Sequence, residues 1–273
     1  MRVALGSLPS EPGQENEDFA AVAPGAAVLL DGAGVAGAET GCVHSIAWFS
    51  GTLGALLLRA VTAQPRRPLA DCLADSIASV RVMHGDSCDL TYRASPTSTV
   101  VVVRAGDQKL EYLVLGDSSL LLDECHGGCA VITDRRLDEV GKPFRGPVDT
   151  FPTGSPEHAA ALAKYRDALT GLRNRPGGFW IAGPDPRAAE HALTGAVPLD
   201  SVDSVSLLSD GATRLVDRFQ LADWATVLGI LNKSGPDELI RLVRDAETED
   251  PYGRRWPRGK AQDDATALHW VLQ

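Results

Sequence analysis

The sequence predicts an α+β fold in which antiparallel sheet is covered by helices. Three observations carry the prediction. Short apolar runs joined by turn residues stand at 19–30 and again from 99 to 133. Helical periodicity fills blocks between these groups and does not follow each strand. The resulting order is strands, two helices, strands, an insert, strand, helices, strand, which is not the regular alternation of a doubly wound parallel sheet.

Phe19–Ala23 and Ala26–Leu30 flank Pro24-Gly25, a turn dipeptide, and read as a hairpin. From Glu39 to Val61 apolar residues (Val43, Ile46, Ala47, Phe49, Leu53, Leu57) recur at helical spacing. Pro68 to Met83 is a second helix, with proline near its start and Gly85 just past its end. Thr99–Arg104, Leu110–Leu115, Ser119–Leu122 and Cys129–Thr133 read as strands, the first two turning at Gly106-Asp107. Residues 134–155 contain proline and glycine and show no clear period. Pro156–Leu172 is alanine-rich and helical, Gly178–Ala182 a short strand, Pro186–Leu193 a short helix. Val202–Leu208 is a strand, Ala212–Phe219, Leu221–Leu231 and Pro236–Glu247 are helices, and Ala265–Leu272 closes the chain as a strand.

The chain has 273 residues, enough for a substantial core. Lysine plus arginine total 26 against 36 acids, a net charge of −10, which argues against a general nucleic-acid binder. The first ten residues are too weakly apolar for a signal peptide, and stretches such as Leu53–Leu58 and Val100–Val103 fall short of a bilayer span. A cytoplasmic protein is expected. Five cysteines (42, 72, 88, 125, 129) form no paired framework, which fits a reducing compartment. Cys125-His126-Gly127-Gly128-Cys129 looks faintly like a zinc half-site, but no second half follows at suitable spacing. His44 reads as a residue in the first turns of the long helix.

The stretch VLLDGAGVAG (28–37) raises a choice. Its glycines are spaced G-x-G-x-x-G, as in a dinucleotide site, while Asp31 before them points to a metal. The dinucleotide reading needs a second strand ending in an acid about 20 residues on. Residues 51–58 (GTLGALLL) are still in the helical pattern. An acid beside the pyrophosphate would also repel it. Asp31, by contrast, has company. Asp117 and Asp210 also end apolar runs, and Asn16-Glu17-Asp18 and Asp263-Asp264 stand just before strands. One such acid is ordinarily a solvated turn residue. Several at the ends of packed strands can converge, and in a poorly solvated cleft they need protons or cations. Hard oxygen ligands of this kind suit Mg2+ or Mn2+.

With these residues in view, the sequence resembles the metal-dependent protein phosphatase (PPM) family, the type-2C serine/threonine phosphatases. NED (16–18), DGAG (31–34), PTSTVVVV (96–103), GDSS (116–119), SDG (209–211) and DDAT (263–266) occur in that family's order, from about residue 11 to the C-terminus. The resemblance implies one domain over 1–273 with a variable flap at about 134–180. Its fold would be a four-layer α-β-β-α sandwich, two antiparallel sheets between helices. It also implies two Mn2+ or Mg2+ ions. Asp31 would bridge both, the Gly32 carbonyl would bind one, and Asp210 and Asp263 the other. Glu17 and Asp18 would hold metal-bound waters, and Asp117 would be a structural acid or a ligand to a third ion. Asp264 stands where the family often has asparagine. A water shared by the two ions would attack phosphorus, so no side chain serves as nucleophile. The implied activity is hydrolysis of phosphoserine or phosphothreonine on a protein by a monomeric bacterial-type enzyme, with no nucleic-acid or membrane partner.

The sequence departs from the family at the phosphate. The arginine usual three residues before the asparagine of NED is Gly13 here, followed by Gln14. Ala33 replaces a histidine found in some members, Ser119 replaces an arginine, and Ser95-Pro96-Thr97 lacks a usual glycine. Two readings stay open. Arg254, Arg255 and Arg258, with Lys260, run into Asp263 and supply the grip, or form a solvated loop. Alternatively activity is low, or the chain is a regulatory member without turnover. Losing one charge-assisted contact costs about 2–4 kcal/mol if the phosphate is partly desolvated. Lys164, Arg166 and Arg173 in the flap are expected to face solvent.

Overall fold

The computed structural model describes residues 2–34, 40–125 and 127–272, and of Asp86 the backbone alone. The strands are β1 (Arg2–Leu8), β2 (Phe19–Ala23), β3 (Ala26–Leu30) and β4 (Gly32–Ala33), followed by helices α1 (Ile46–Ala63) and α2 (Leu69–Met83). Next come β5 (Thr97–Ser98), β6 (Val100–Ala105), β7 (Lys109–Leu115), β8 (Ser119–Glu124) and β9 (Gly128–Thr133). The helices α3 (Arg136–Thr150) and α4 (Pro156–Leu172) form the insert. The chain ends with β10 (Leu193–Pro198), β11 (Val202–Leu208), α5 (Asp210–Asp217), α6 (Trp224–Ser234), α7 (Pro236–Glu249) and β12 (Ala265–Val271).

Two five-stranded sheets run in the orders β1-β12-β11-β8-β9 and β10-β7-β6-β3-β2, and every pairing is antiparallel. Alternation along each strand divides the core into layers. Ala27 and Leu29 of β3, with Val101 and Val103 of β6, meet Leu120, Leu122, Val205, Leu207 and Leu268 of the other sheet. Val28, Leu30, Val100 and Val102 point the other way, onto Phe49, Leu53 and Leu57 of α1 and Leu73 and Ile77 of α2. On the far side Leu121, Leu208 and Ala267 pack under Leu215, Val227, Leu239 and Val243 of α5, α6 and α7. The result is helix, sheet, sheet, helix. All five residues of β3 are buried because both of its faces are covered.

The differences from the sequence reading have physical causes. α1 begins at Ile46, because Ser45 caps it by accepting from the Trp48 amide at 3.1 Å. Position 39 lies outside the described residues, and 40–45 are not helical. By length and mean hydropathy (18 residues, 1.4) α1 also passes as a candidate membrane span, contrary to the expectation that every apolar stretch falls short. Its buried face lies on the sheet. β1 and β10 were not predicted. Both are edge strands with mostly exposed side chains, held by backbone pairing that leaves no apolar pattern. α3 replaces the expected irregular stretch despite Pro143 and Pro147 inside it. Its Gly141 lies against α4, where a Cβ would sit 2.7 Å from the Tyr165 hydroxyl. Around 178–182 there are only isolated bridges, Ser98 to Ala182 and Arg173 to Phe179.

Candidate metal centre

The predicted acids meet at one end of the two sheets. Asp31 leaves β3 with its backbone fixed. Its amide donates to the Thr99 hydroxyl at 3.1 Å, and its carbonyl accepts from the Thr99 amide and the Ser98 hydroxyl, both at 2.9 Å. Thr99 also hydrogen-bonds Ser118 at 2.7 Å, beside Asp117, so one threonine ties the two acid-bearing strand ends together. Gly32 passes so near its surroundings that a Cβ would lie 2.5 Å from the Glu17 carbonyl oxygen and 2.6 Å from Ile46. Gly34 abuts Ile46 in the same way. This close packing explains the first two glycines of the G-x-G-x-x-G spacing; Gly37 lies outside the described residues. The antiparallel sheets remove the dinucleotide reading.

Asp210 opens α5 directly after β11, and its backbone amide donates to the Asp31 carboxylate at 3.3 Å. Asp263 is held by Arg214 at 2.9 Å and Lys260 at 2.7 Å. Arg214 is in turn anchored on Glu247 at 2.6 Å, which also receives Arg244 at 2.6 Å. Asp264 points elsewhere. Its two oxygens accept from the Ser10 and Glu17 amides at 2.6 and 2.7 Å, which fastens the N-terminal loop to β12. Asp18 is the unusual member: both carboxylate oxygens are buried and neither has a hydrogen-bond partner among the described residues.

The electrostatics follow from desolvation first and from crowding second. Burial, then repulsion from Asp18, Asp210 and Asp117, drives the Asp31 carboxyl well above the ordinary carboxylate range. Burial pushes Asp18 up to about 7, only partly offset by the nearby hydroxyls of Thr266 and Ser209. Asp117 is pushed up to about 8 by burial and by Asp210. Asp210 and Glu17 are raised by burial as well. For Asp263 burial acts in the same sense but is outweighed by Lys260 and Arg214, which hold it below the ordinary value. Four of these acids, Asp31, Asp117, Asp210 and Asp263, line a cleft of about 210 Å³ together with Gly32, Lys260, Arg166 and Arg173. It adjoins a larger cleft of about 690 Å³ reaching to Arg135, Lys142, Arg145 and Arg218. Glu17 and Asp18 line neither.

These residues fit divalent ions. Clustered carboxylates with raised proton affinity, and two buried Asp18 oxygens with no hydrogen-bond partner among the described residues, are what an oxygen-ligand cation site leaves when the cation is taken away. Asp31, Gly32, Asp210 and Asp263 line one cleft, and theirs are the oxygens that could ligate there.

Of the arginines expected to grip phosphate, Arg254 and Arg255 line neither cleft, and Arg258 lines only the larger one. Arg254 lies over the Tyr252 ring. Arg255 stacks on Trp256 and pairs with Glu249 at 3.6 Å. Arg258 is 1 % exposed, and its guanidinium serves the carbonyls of Ala261, Trp256, Glu247 and Asp250 and the Asp250 carboxylate. All five donors are engaged, so Arg258 holds a loop. The flap cations correct the expectation in the other sense. Lys164 is exposed, but Arg166 and Arg173 line the acid cleft. The Arg166 guanidinium makes no ion pair or hydrogen bond among the described residues, and the Nε of Arg173 is buried without a partner. Nothing in the primary sequence distinguished them from a solvated helix face. The 125–129 half-site is also not assembled: Cys125 bonds to Asp200 and Asp203, Cys129 to the Trp224 carbonyl, and His126 lies outside the described residues.

No family model and no curated protein sequence matches the chain. Solved structures do. The serine/threonine phosphatase PstP/Ppp of Mycobacterium tuberculosis superposes with a TM-score of 0.59 at 14 % identity, covering 100 % of this chain and 98 % of its own. The fold is that of the PPM serine/threonine phosphatases. The catalytic domain of PstP in complex with two manganese ions superposes at 0.55, with 15 % identity over 98 % of this chain and 96 % of that one. PppA, a regulatory component of type VI secretion in Pseudomonas aeruginosa, gives 0.53 at 20 % identity over 98 % and 96 %.

Proposed function

We propose that this chain is a PPM-family phosphatase that hydrolyses phosphoserine and phosphothreonine on proteins. The observation that carries the reading is the cleft that Asp31 and Asp210 share with Asp117 and Asp263, where the Asp210 backbone amide donates to the Asp31 carboxylate at 3.3 Å. Asp31, the Gly32 carbonyl, Asp210 and Asp263 hold two divalent ions, Mn2+ or Mg2+. Glu17 and Asp18 would hold metal-bound waters, and Asp117 would serve as a structural acid or as a ligand to a third ion. When bound, such a pair lowers the pKa of a shared water and neutralises charge on the phosphoryl oxygens. Water adds to phosphorus as the bond to the serine or threonine oxygen breaks, releasing inorganic phosphate. The grip missing at Gly13 comes from Arg166, with Arg173 behind it, on the flap side of the cleft.

A second reading is a regulatory domain without turnover. What favours it is Gly13 itself, in a positive-φ turn (+88°) with open space around it, where an arginine would be strained. One assay separates the two. Manganese-dependent cleavage of p-nitrophenyl phosphate and of a phosphothreonine peptide by the wild type, lost in Asp210→Ala, supports the enzyme. Manganese binding without turnover supports the regulator and overturns the enzymatic reading.

A further inference from the structure

Away from the acids, four side chains meet where α1 begins and α2 ends. Cys42 and His44 precede the Ser45 cap, His84 caps α2, and Cys88 follows one turn later. One ligand atom from each lies within 4.8 Å of all the others. The Cys42 and Cys88 sulfurs are 3.3 Å apart, and the His44 Nδ1 is 3.6 Å from one and 3.4 Å from the other. A tetrahedral zinc ion sets sulfur–nitrogen edges at about 3.6 Å and the sulfur–sulfur edge at about 3.8 Å, so the two S–N distances match and the sulfurs part by about half an ångström to take the ion.

Three further details point to a ligand. The Nδ1 of His84 donates to the Val80 carbonyl at 2.8 Å, so its Nε2 carries the free lone pair. That Nε2 is buried and has no hydrogen-bond partner among the described residues, on a side chain 2 % exposed. The amides of Val43 and His44 each point at a cysteine sulfur at 3.4 Å, an arrangement that favours thiolates. Trp48 stacks on His44 at 3.9 Å and meets His84 edge-on at 5.0 Å, walling the cluster on one side.

We propose that Cys42, His44, His84 and Cys88 form a structural zinc site. Four protein ligands leave no open position, so the ion has no catalytic role. Its work is mechanical. The 40–44 segment is already laced to the loop after α2, with the Asp89 amide donating to the Gly41 carbonyl at 2.7 Å and the Ser95 hydroxyl to the Thr40 carbonyl at 3.4 Å. That loop leads into β5, which pairs with Gly32-Ala33 and braces Asp31. Zinc therefore locks the two segments that frame the acid cleft, and the site stands whether or not the cleft turns over phosphate.

The test uses the reduced full-length chain in excess magnesium, so that the hard-ligand acids are supplied with another ion. About one tightly held zinc per chain is expected. Cobalt in its place gives a thiolate-to-metal charge-transfer band and tetrahedral visible bands, which carboxylates cannot produce, and quenches Trp48 fluorescence. Both signals are lost in Cys42→Ser/Cys88→Ser and kept in Cys125→Ser. Should the double variant not fold, a zinc chelator lowers the wild-type melting temperature, and zinc but not magnesium restores it. Absence of the cobalt charge-transfer band, its survival in the double variant, or a Cys42–Cys88 disulfide whose reduction yields no zinc uptake each overturns the proposal.

Discussion

The backbone amide of Asp210 donates to the Asp31 carboxylate across 179 residues of sequence, at 3.3 Å. Two acids of one cleft, whose proton affinities are both raised by desolvation first and then by other acids, are thereby brought together. Without cations the arrangement is self-repelling. Asp210→Asn is therefore expected to raise the melting temperature in EDTA while lowering manganese-dependent phosphatase activity by at least on the order of 100-fold, as for loss of a metal's support. Differential scanning fluorimetry and p-nitrophenyl phosphate turnover read the two halves. A lower melting temperature in EDTA would contradict the repulsion argument.

Stability should respond to pH in a direction set by the same groups. Asp18 and Asp117 are raised to about 7 and about 8, so the folded metal-free chain binds more protons than the unfolded chain between the ordinary carboxylate pKa of about 4 and these values. Their stabilising contribution is complete below pH 4 and is lost as pH rises through 7 to 8. Asp263, with its lowered pKa, acts oppositely, but only at acid pH. In EDTA the melting temperature should fall from pH 5 to pH 8, and manganese should reverse the trend because its binding releases those protons. Parallel melting curves with and without manganese across this range would count against it.

Arg166 lines the acid cleft with no ion pair among the described residues, so its loss costs the fold little. Arg166→Ala should lower kcat/KM by on the order of 10–100-fold, the worth of one charge-assisted contact to phosphate, with an unchanged melting temperature. Arg254→Ala and Arg255→Ala should leave kcat/KM nearly as it was. Steady-state kinetics on one phosphopeptide checks all three.

Arg258 should behave in the reverse way. Removing its guanidinium takes a donor from the carbonyls of Ala261, Trp256, Glu247 and Asp250 and the cation from beside the Asp250 carboxylate, at a side chain 1 % exposed. Arg258→Ala is expected to destabilise the chain by about 3 kcal/mol, the scale for breaking one side of a buried pair. Urea denaturation measures it.

How far the sequence could be read depended on what each residue reports. Strands covered on both faces, such as β3 and β11, wrote their limits in apolar residues and were read correctly at 26–30 and 202–208. The edge strands β1 and β10 are specified by backbone pairing and left no such pattern. In α3 the helical spacing of Leu137, Val140, Phe144 and Val148 was present, but Gly141, Pro143, Gly146 and Pro147 obscured it. The acids were legible because each ends a strand or opens a turn. The cations around them were not, since Arg166 and Arg258 look alike in sequence and differ in what surrounds them. The Cys42, His44, His84, Cys88 cluster did have a signal, C-x-H followed by H-x-x-x-C. Two things mask it: His44 also fits the apolar-periodic stretch that leads into α1, and the two halves lie far apart in the chain.

The most direct measurement is anomalous diffraction from crystals grown with manganese. Two peaks about 3.5–4 Å apart, with the Asp31 carboxylate touching both and Asp210 and Asp263 on one, are the predicted result. No manganese within coordinating distance of Asp31 would contradict the account.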